Sequence, residues 1–478
     1  MTLSHSTVTD LFTDIASTIR SKTGSNSPIV ADAFPTAIDT IHVASPYAIT
    51  YETLALNAGS TQYALLNHTI PVIFSSSGSV AKVNTYLSMY IPSDFFNSIS
   101  YIGNGGFAYR DFYLSESITF QNCTWLGADA FRNNPHRTAG NVSGFTLNFP
   151  NLEILSAPAT FYGCKASHIY LPNLLSMSET VYNAEGQFAS CWKLLDISLP
   201  KLTNIPPQCF AYCSSLSMVN FPRVSKIGVY AFSGCSVLTS VTFPSCTILG
   251  SYAFANCSAL ETVSFPSCTT IGSCAFSGCR SLTTVSFPLC QIISTAAFQA
   301  CSSLLSVSFP SCTTIYGNAF SGCSALTSAN FPVCTSIGTY AFSGCSALIS
   351  TNFSSCTRID AYAFTRCSSL ATVNFPVCIS IGSYVFSSCA ELVTVSLPAC
   401  TYISAYAFGY CYNLLSLYLM GSSLCSLASI NAFMMTPIST YTTSTGGIYG
   451  SIYVPASLLA SYKAATNWIT YSSRFVGV

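Results

Sequence analysis

The stretch CSALTSANFPVCTSIGTYAFSG, residues 323–344, decides the fold because it recurs. Phenylalanine stands at Phe188, Phe210, Phe232, Phe254, Phe276, Phe298, Phe320, Phe342, Phe364, Phe386 and Phe408, every step 22 residues. A cysteine follows three residues after each, from Cys191 to Cys411. A second cysteine column runs Cys246, Cys268, Cys290, Cys312, Cys334, Cys356, Cys378 and Cys400. A fixed period of this length marks a solenoid, in which each repeat is one coil that buries its apolar side against its neighbours.

Within a coil the apolar residues are Leu238, Val241, Phe243, Cys246, Leu249 and Phe254. The alternation around Val241 and Phe243 predicts a strand, with Ser240 and Thr242 facing outward. Pro244 ends it, because proline offers no N–H to a sheet ladder. GSYAFANC, residues 250–257, then returns the chain through a turn or a short helix.

The 24 cysteines admit three readings: disulfides, a metal site, or core lining. The second column discriminates. Its earlier equivalents are Val224, Leu202, Leu174 and Leu152, which neither ligate metals nor form disulfides. The position therefore takes a compact apolar group, and free cysteine is one. Stacked strands about 4.8 Å apart are also wider than the roughly 3.8 Å Cβ separation of a disulfide. No C-x-x-C pair occurs and no histidine follows His168, so zinc is not expected. Cys274 replaces a tyrosine of other coils and is expected to be partly exposed.

Half the 478 residues are hydrophobic, 7% are charged, and the formal net charge is zero. No basic face for nucleic acid is expected. No apolar run is long enough to insert in a membrane as a helix. MTLSHSTVTDLFTDIASTIR at the start lacks the basic and apolar regions of a secretory signal, so assembly in a cytoplasm is expected.

The chain divides into five stretches. Residues 1–43 predict a helix with Val8, Leu11, Phe12, Ile15 and Ile19 on one face, and a second near 31–42. They form either an attachment or oligomerisation module or a packed cap. Residues 44–100 read as a small β-rich transition or degenerate first repeats. Residues 101–190 are irregular repeats, with insertions at 132–144 and 178–187 that either carry binding or are tolerated drift. Residues 191–420 hold the regular repeats, and 421–478 read as a C-terminal cap.

The unit L-x-x-V-x-F-P-x-C-x-x-I-G-x-x-A-F-x-x-C resembles the BspA-like leucine-rich repeat family over about residues 100–420. It departs by one residue, the usual unit being longer between the proline and the I-G pair. The resemblance implies a β-rich leucine-rich repeat solenoid of 22-residue, cysteine-containing repeats, with a small α-helical N-terminal module. Members of that family include bacterial surface proteins that bind host or neighbouring-cell ligands. LFTDIASTIRSKTGSNSPIVADAFPTAIDTI, residues 11–41, and the I-Y-V-P to Y-S-S-R ending are similar to segments of phage and prophage tail proteins. That similarity implies attachment to other tail proteins through residues 1–43, a location in the virion tail after assembly in the host cytoplasm, and by analogy with fibres a homotrimer. No heptad here demonstrates one. The alternative is a bacterial cell-surface adhesin.

Chemistry for catalysis is sparse. Between Cys191 and Met420 the acids are Asp196, Glu261, Asp360 and Glu391, at different repeat phases, with no histidine. A Ser–His–Asp set there is impossible and a paired-carboxylate site is not supported. His136 and His168, with Asp129 and Glu153, are the only other grouping, and no motif supports it. The expectation is a non-enzyme without cofactor or metal. What remains is surface: an outward row Ser240, Thr262, Thr284, Ser306, Ser328, Ser350, Thr372 and Thr394, beside Thr242, Ser264, Ser286, Ser308, Asn330, Asn352, Asn374 and Ser396. It is expected to form one flat sheet of hydroxyls and amides, either serving solubility or binding sugar hydroxyls. A tyrosine column stands at Tyr230, Tyr252, Tyr340, Tyr362, Tyr384 and Tyr406, either a structural spine or a set of recognition anchors. The candidate ligand-binding residues are these tyrosines, Asn330, Asn352 and Asn374, and Arg132, His136 and Arg137 on the first insertion. The expected partner is a bacterial cell-surface ligand, glycan or protein.

Overall fold

The computed structural model describes residues 51–52, 62–66, 70–74, 80–83, 96–97, 99, 101–108, 117–133, 145–179, 185–439 and 447–478. The helical reading of 1–43 therefore lies outside the described residues, as do His136 and Arg137. The chain forms two compact units, 1–201 and 202–478.

In the first unit, the strands Tyr51–Glu52, Gln62–Leu66, Ile70–Phe74 and Val80–Val83 pair antiparallel in chain order. Val80 then pairs in parallel with Ile102, where coiling begins. Ser117–Thr119, Thr146–Asn148, His168–Tyr170 and Asp196–Ser198 form one parallel ladder. The parallel pairing survives unequal coil lengths because only the strands need to be in register.

The second unit has two ladders. Each coil contributes a three-residue strand such as Ser240–Thr242 and a two-residue strand such as Ile248–Leu249. The middle residue of the first faces the core and its neighbours face out, as the alternation requires. The segment between Gly250 and Cys257 is a succession of turns rather than a helix. It holds a residue with left-handed backbone in every coil, φ being 57° at Tyr252 and 59° at Tyr340.

The two-residue strands make one unbroken sheet of 11, from Asn204–Ile205 to Ser426–Leu427. The three-residue strands do not. Their ladder is cut into Ser240–Ser286, Ser306–Asn352 and a final group that starts at Thr372. The expectation of one flat hydroxyl sheet is corrected accordingly. The cause lies beneath it. Phe243, Phe265 and Phe287 stack at 5.4 and 5.2 Å, and Phe309, Phe331 and Phe353 at 5.4 Å each. Across the two cuts the rings stand farther apart, 6.0 Å for Phe287–Phe309 and 5.9 Å for Phe353–Phe375. Stacked rings need more room than the roughly 4.8 Å between paired strands, so the excess accumulates and the ladder opens every third coil. After Phe375 the column continues as Leu397 and Leu419, and there the ladder runs unbroken through Phe475–Gly477.

The C-terminal end is closed by aromatic rings. Phe408 stacks on Phe433, which packs on Trp468 and Tyr471. The Trp468 indole N–H donates to the Cys425 carbonyl at 2.6 Å, and the Cys425 N–H donates to the Tyr462 hydroxyl at 3.0 Å.

Candidate recognition surface

The cysteines carry no disulfide, and all but the half-buried Cys274 are buried. They do more than fill space. From Cys235 to Cys411 each thiol of the first column donates to a phenylalanine carbonyl of the preceding coil at 3.0–3.2 Å, as Cys279 does to Phe254. Thiols of the second column, Cys246 to Cys378, donate within their own coil at 3.2–3.4 Å, as Cys268 does to Thr270. The first column links coils and admits no substitute between Cys191 and Cys411; the second admits Val224 and Leu202. Burial pushes the Cys257 thiol up to about 12 and Cys268 to about 11, so both stay protonated donors. The core is inert.

The surface is ordered by the same repeat. Tyr340, Tyr362, Tyr384 and Tyr406 form one continuous stack with centroids 4.6, 4.8 and 4.7 Å apart, and Tyr230 stacks on Tyr252 at 4.6 Å. All stand at φ between 57° and 61°, a conformation that costs a non-glycine residue about 1–2 kcal/mol. Ring stacking returns roughly 0.5–1.5 kcal/mol per pair. Because each inner ring has neighbours on both faces, the column presents ring edges and hydroxyls to solvent. Cys274 interrupts it and hydrogen bonds to Tyr252, which raises the Tyr252 phenol. The Asn431 amide donates to the Tyr406 hydroxyl at 3.1 Å and ends the row.

Asparagines form a second row. The Asn330 amide donates to the Ser308 hydroxyl at 3.0 Å and the Asn352 amide to the Asn330 carbonyl oxygen at 2.8 Å. Asn374 lies beyond the cut in the ladder, so the structure joins two of the three asparagines and not the third. Asn330 ends the first strand of its coil, whereas Tyr340 follows the second strand, Ser336–Ile337. The tyrosine and asparagine rows thus run along different sides of the unit.

Arg132 is held by protein groups. Its guanidinium makes two bonds to Glu185, at 2.5 and 2.6 Å, one to Asp129 at 3.1 Å, and lies 4.5 Å over the Tyr162 ring. The bonds from Arg132 hold the Glu185 carboxyl below the usual range. Arg132 and Glu185 stand at the bases of the two insertions, so the pair clasps them together. Asp129 therefore serves the clasp. His168 pairs instead with Asp196, Nδ1 to Oδ2 at 3.0 Å, across paired strands. Sequence reasoning missed both partners, since Arg132 and Glu185 are 53 residues apart and His168 and Asp196 28. Among the described residues no group of three or more His, Cys, Asp and Glu side chains could hold a metal, and no helix is long and apolar enough to cross a membrane.

Parallel strands, turns and stacked core ladders at a fixed period define a leucine-rich repeat solenoid. The profile of the BspA type leucine rich repeat region matches in overlapping stretches, 143–247, 181–305, 225–349, 291–415 and 335–446. The chain belongs to that family. It is similar to a leucine-rich repeat protein of Bacteroides ovatus, at 21% identity over 79% of this chain and 94% of that one, with a TM-score of 0.47. It is also similar to a leucine rich cell surface protein of Faecalibacterium prausnitzii (20% identity, 76% and 94% covered, TM-score 0.33) and to the pneumococcal vaccine antigen PcpA (15%, 90% and 95%, 0.40). No curated protein matches the chain significantly.

Proposed function

We propose that this protein is a non-enzymatic recognition solenoid that binds a repetitive ligand, most simply a glycan, on a bacterial surface. The observation that carries the reading is the pair of exposed, uncharged rows at coil spacing, the Tyr340–Tyr406 stack and the Asn330–Asn352 amides. Groups repeated at each coil can bond repeated hydroxyls of a polymer, and many weak contacts on one chain add. Ring edges and phenol hydroxyls favour hydrogen bonding to a sugar over face-on stacking. Within this reading the resemblance of residues 11–41 and of the C-terminal ending to tail proteins favours a phage tail fibre, attached through residues 1–43 and displayed on the virion. Family membership favours the second reading, a bacterial surface adhesin.

The test is retention of the fluorescently labelled full chain on a panel of bacterial strains, before and after periodate oxidation of surface glycans. Strain-selective, periodate-sensitive retention is expected. Tyr362→Asn should reduce it several-fold while moving stability by no more than about 1 kcal/mol, since Asn318 already occupies the equivalent position of another coil. Retention on no strain would overturn the reading. Capture of purified phage tail components, but not of the same components by a chain lacking residues 1–43, would favour the fibre over the adhesin.

A further inference from the structure

The C-terminal end contains a pair of thiols unlike the rest. Cys400 is the last member of the second column, and Cys425 donates its S–H to the Cys400 sulfur at 3.8 Å. Earlier thiols of that column, Cys246 to Cys378, each donate to a carbonyl two residues on. The contact has a geometric origin. Cys400 precedes its strand Tyr402–Ile403 by two residues, whereas Cys425 precedes Ser426–Leu427 by one. The final coil is out of step, and one sulfur is brought onto the other. Cys400 is also the one member of its column with any exposure, 4% against 0% for Cys246 through Cys378.

We propose that Cys400 and Cys425 are an oxidation site, at which a small peroxide converts the two thiols into a disulfide that fastens the C-terminal segment to the last regular coil. The Cys400 thiolate attacks one peroxide oxygen and the O–O bond breaks, giving a sulfenic acid and, from hydrogen peroxide, one water. The Cys425 sulfur attacks the sulfenic sulfur, the S–O bond breaks, and hydroxide leaves as a second water with the Cys425 proton. Two thiols and one hydrogen peroxide give one disulfide and two waters. The order follows from the site: Cys400 has the opening to solvent, and the S–H bond from Cys425 lowers its pKa while raising that of Cys425. The sulfurs need only close from contact to the roughly 2.05 Å of an S–S bond. Fastening Cys425 also fastens what holds it, the Tyr462 hydroxyl and the Trp468 indole. This inference is independent of the ligand.

The experiment treats the reduced full chain with hydrogen peroxide, alkylates the remaining thiols, and maps non-reduced peptides by mass spectrometry. A Cys400–Cys425 cross-linked peptide is expected before oxidation at Cys246 to Cys378. The thermal midpoint of the second unit should rise on oxidation and return on reduction. Cys400→Val, which places in the column the residue found at Val224, should fold and lose both effects. In Cys425→Ser, Cys400 should stop at the sulfenic acid and be trapped by dimedone. Oxidation of other cysteines first would overturn the site, absence of the dimedone adduct would overturn the order of attack, and a cross-link without a thermal shift would overturn the fastening.

Discussion

The two strand-bearing sides of residues 202–478 come from the same coils, yet one forms an unbroken sheet and the other opens every third coil. Behind the unbroken side lie aliphatic residues, Ile227, Leu249, Ile271, Ile293 and their successors. Aliphatic side chains can settle to the strand spacing of about 4.8 Å by rotating. Behind the interrupted side lie phenylalanine rings, whose stacking distance is set by their thickness and tilt. A repeat can therefore be regular in sequence and irregular in hydrogen bonding, and the side chain beneath a ladder decides which. The consequence is functional, because the interrupted side carries Asn330, Asn352 and Asn374.

The largest effect should come from deleting a ring. Phe331→Ala and Phe309→Ala should each destabilise the second unit by about 3–5 kcal/mol. Phe331 stacks at 5.4 Å on both sides and Phe309 on one, with 6.0 Å on the other. Denaturant titration should find Phe331→Ala the costlier, and equality would break the link between ring spacing and the ladder. Next are the cysteine columns. Cys279→Val should cost on the order of 1–3 kcal/mol, because it adds volume and removes the bond to Phe254, whereas Cys268→Val should cost less than about 1.5 kcal/mol. Equal midpoints would mean that the thiol bond between coils contributes nothing.

A smaller change should sharpen the comparison itself. Replacing Phe287 and Phe309 together by Leu, the residue at 397 and 419, should let the ladders meeting at that cut join. Hydrogen exchange of the Val307 amide should slow, with a stability change under about 1.5 kcal/mol. Unchanged exchange would place the cause of the cut elsewhere. The smallest effect concerns the first unit. Arg132 holds the Glu185 carboxyl low, so the pair stabilises the fold above the unfolded glutamate value of about 4.3 and that contribution is lost as pH falls through the lower folded value. The thermal midpoint of the first unit should fall on acidification, and less so in Arg132→Gln. Identical acid profiles would remove the clasp from the stability of the irregular repeats.

Much of this was legible in the sequence, since a strict period makes neighbours in space of residues at the same phase. The strands, the buried Phe and Cys columns, the half-exposed Cys274 and the tyrosine row follow from counting by 22. Counting fails where the period does. Arg132 with Glu185, His168 with Asp196, and Cys400 with Cys425 are separated by 53, 28 and 25 residues. Each pair spans an insertion or an altered coil, and no spacing rule links them.

The sequence by itself determined that the chain coils, which residues face inward and that its surface is uncharged, because those properties depend on residue type and phase alone. The tertiary structure decided that the tyrosine faces cover one another, that the hydroxyl ladder opens every third coil and that one pair of thiols touches. Those outcomes depend on distances of a few tenths of an ångström between stacked side chains, set by ring thickness and strand spacing acting together along the stack.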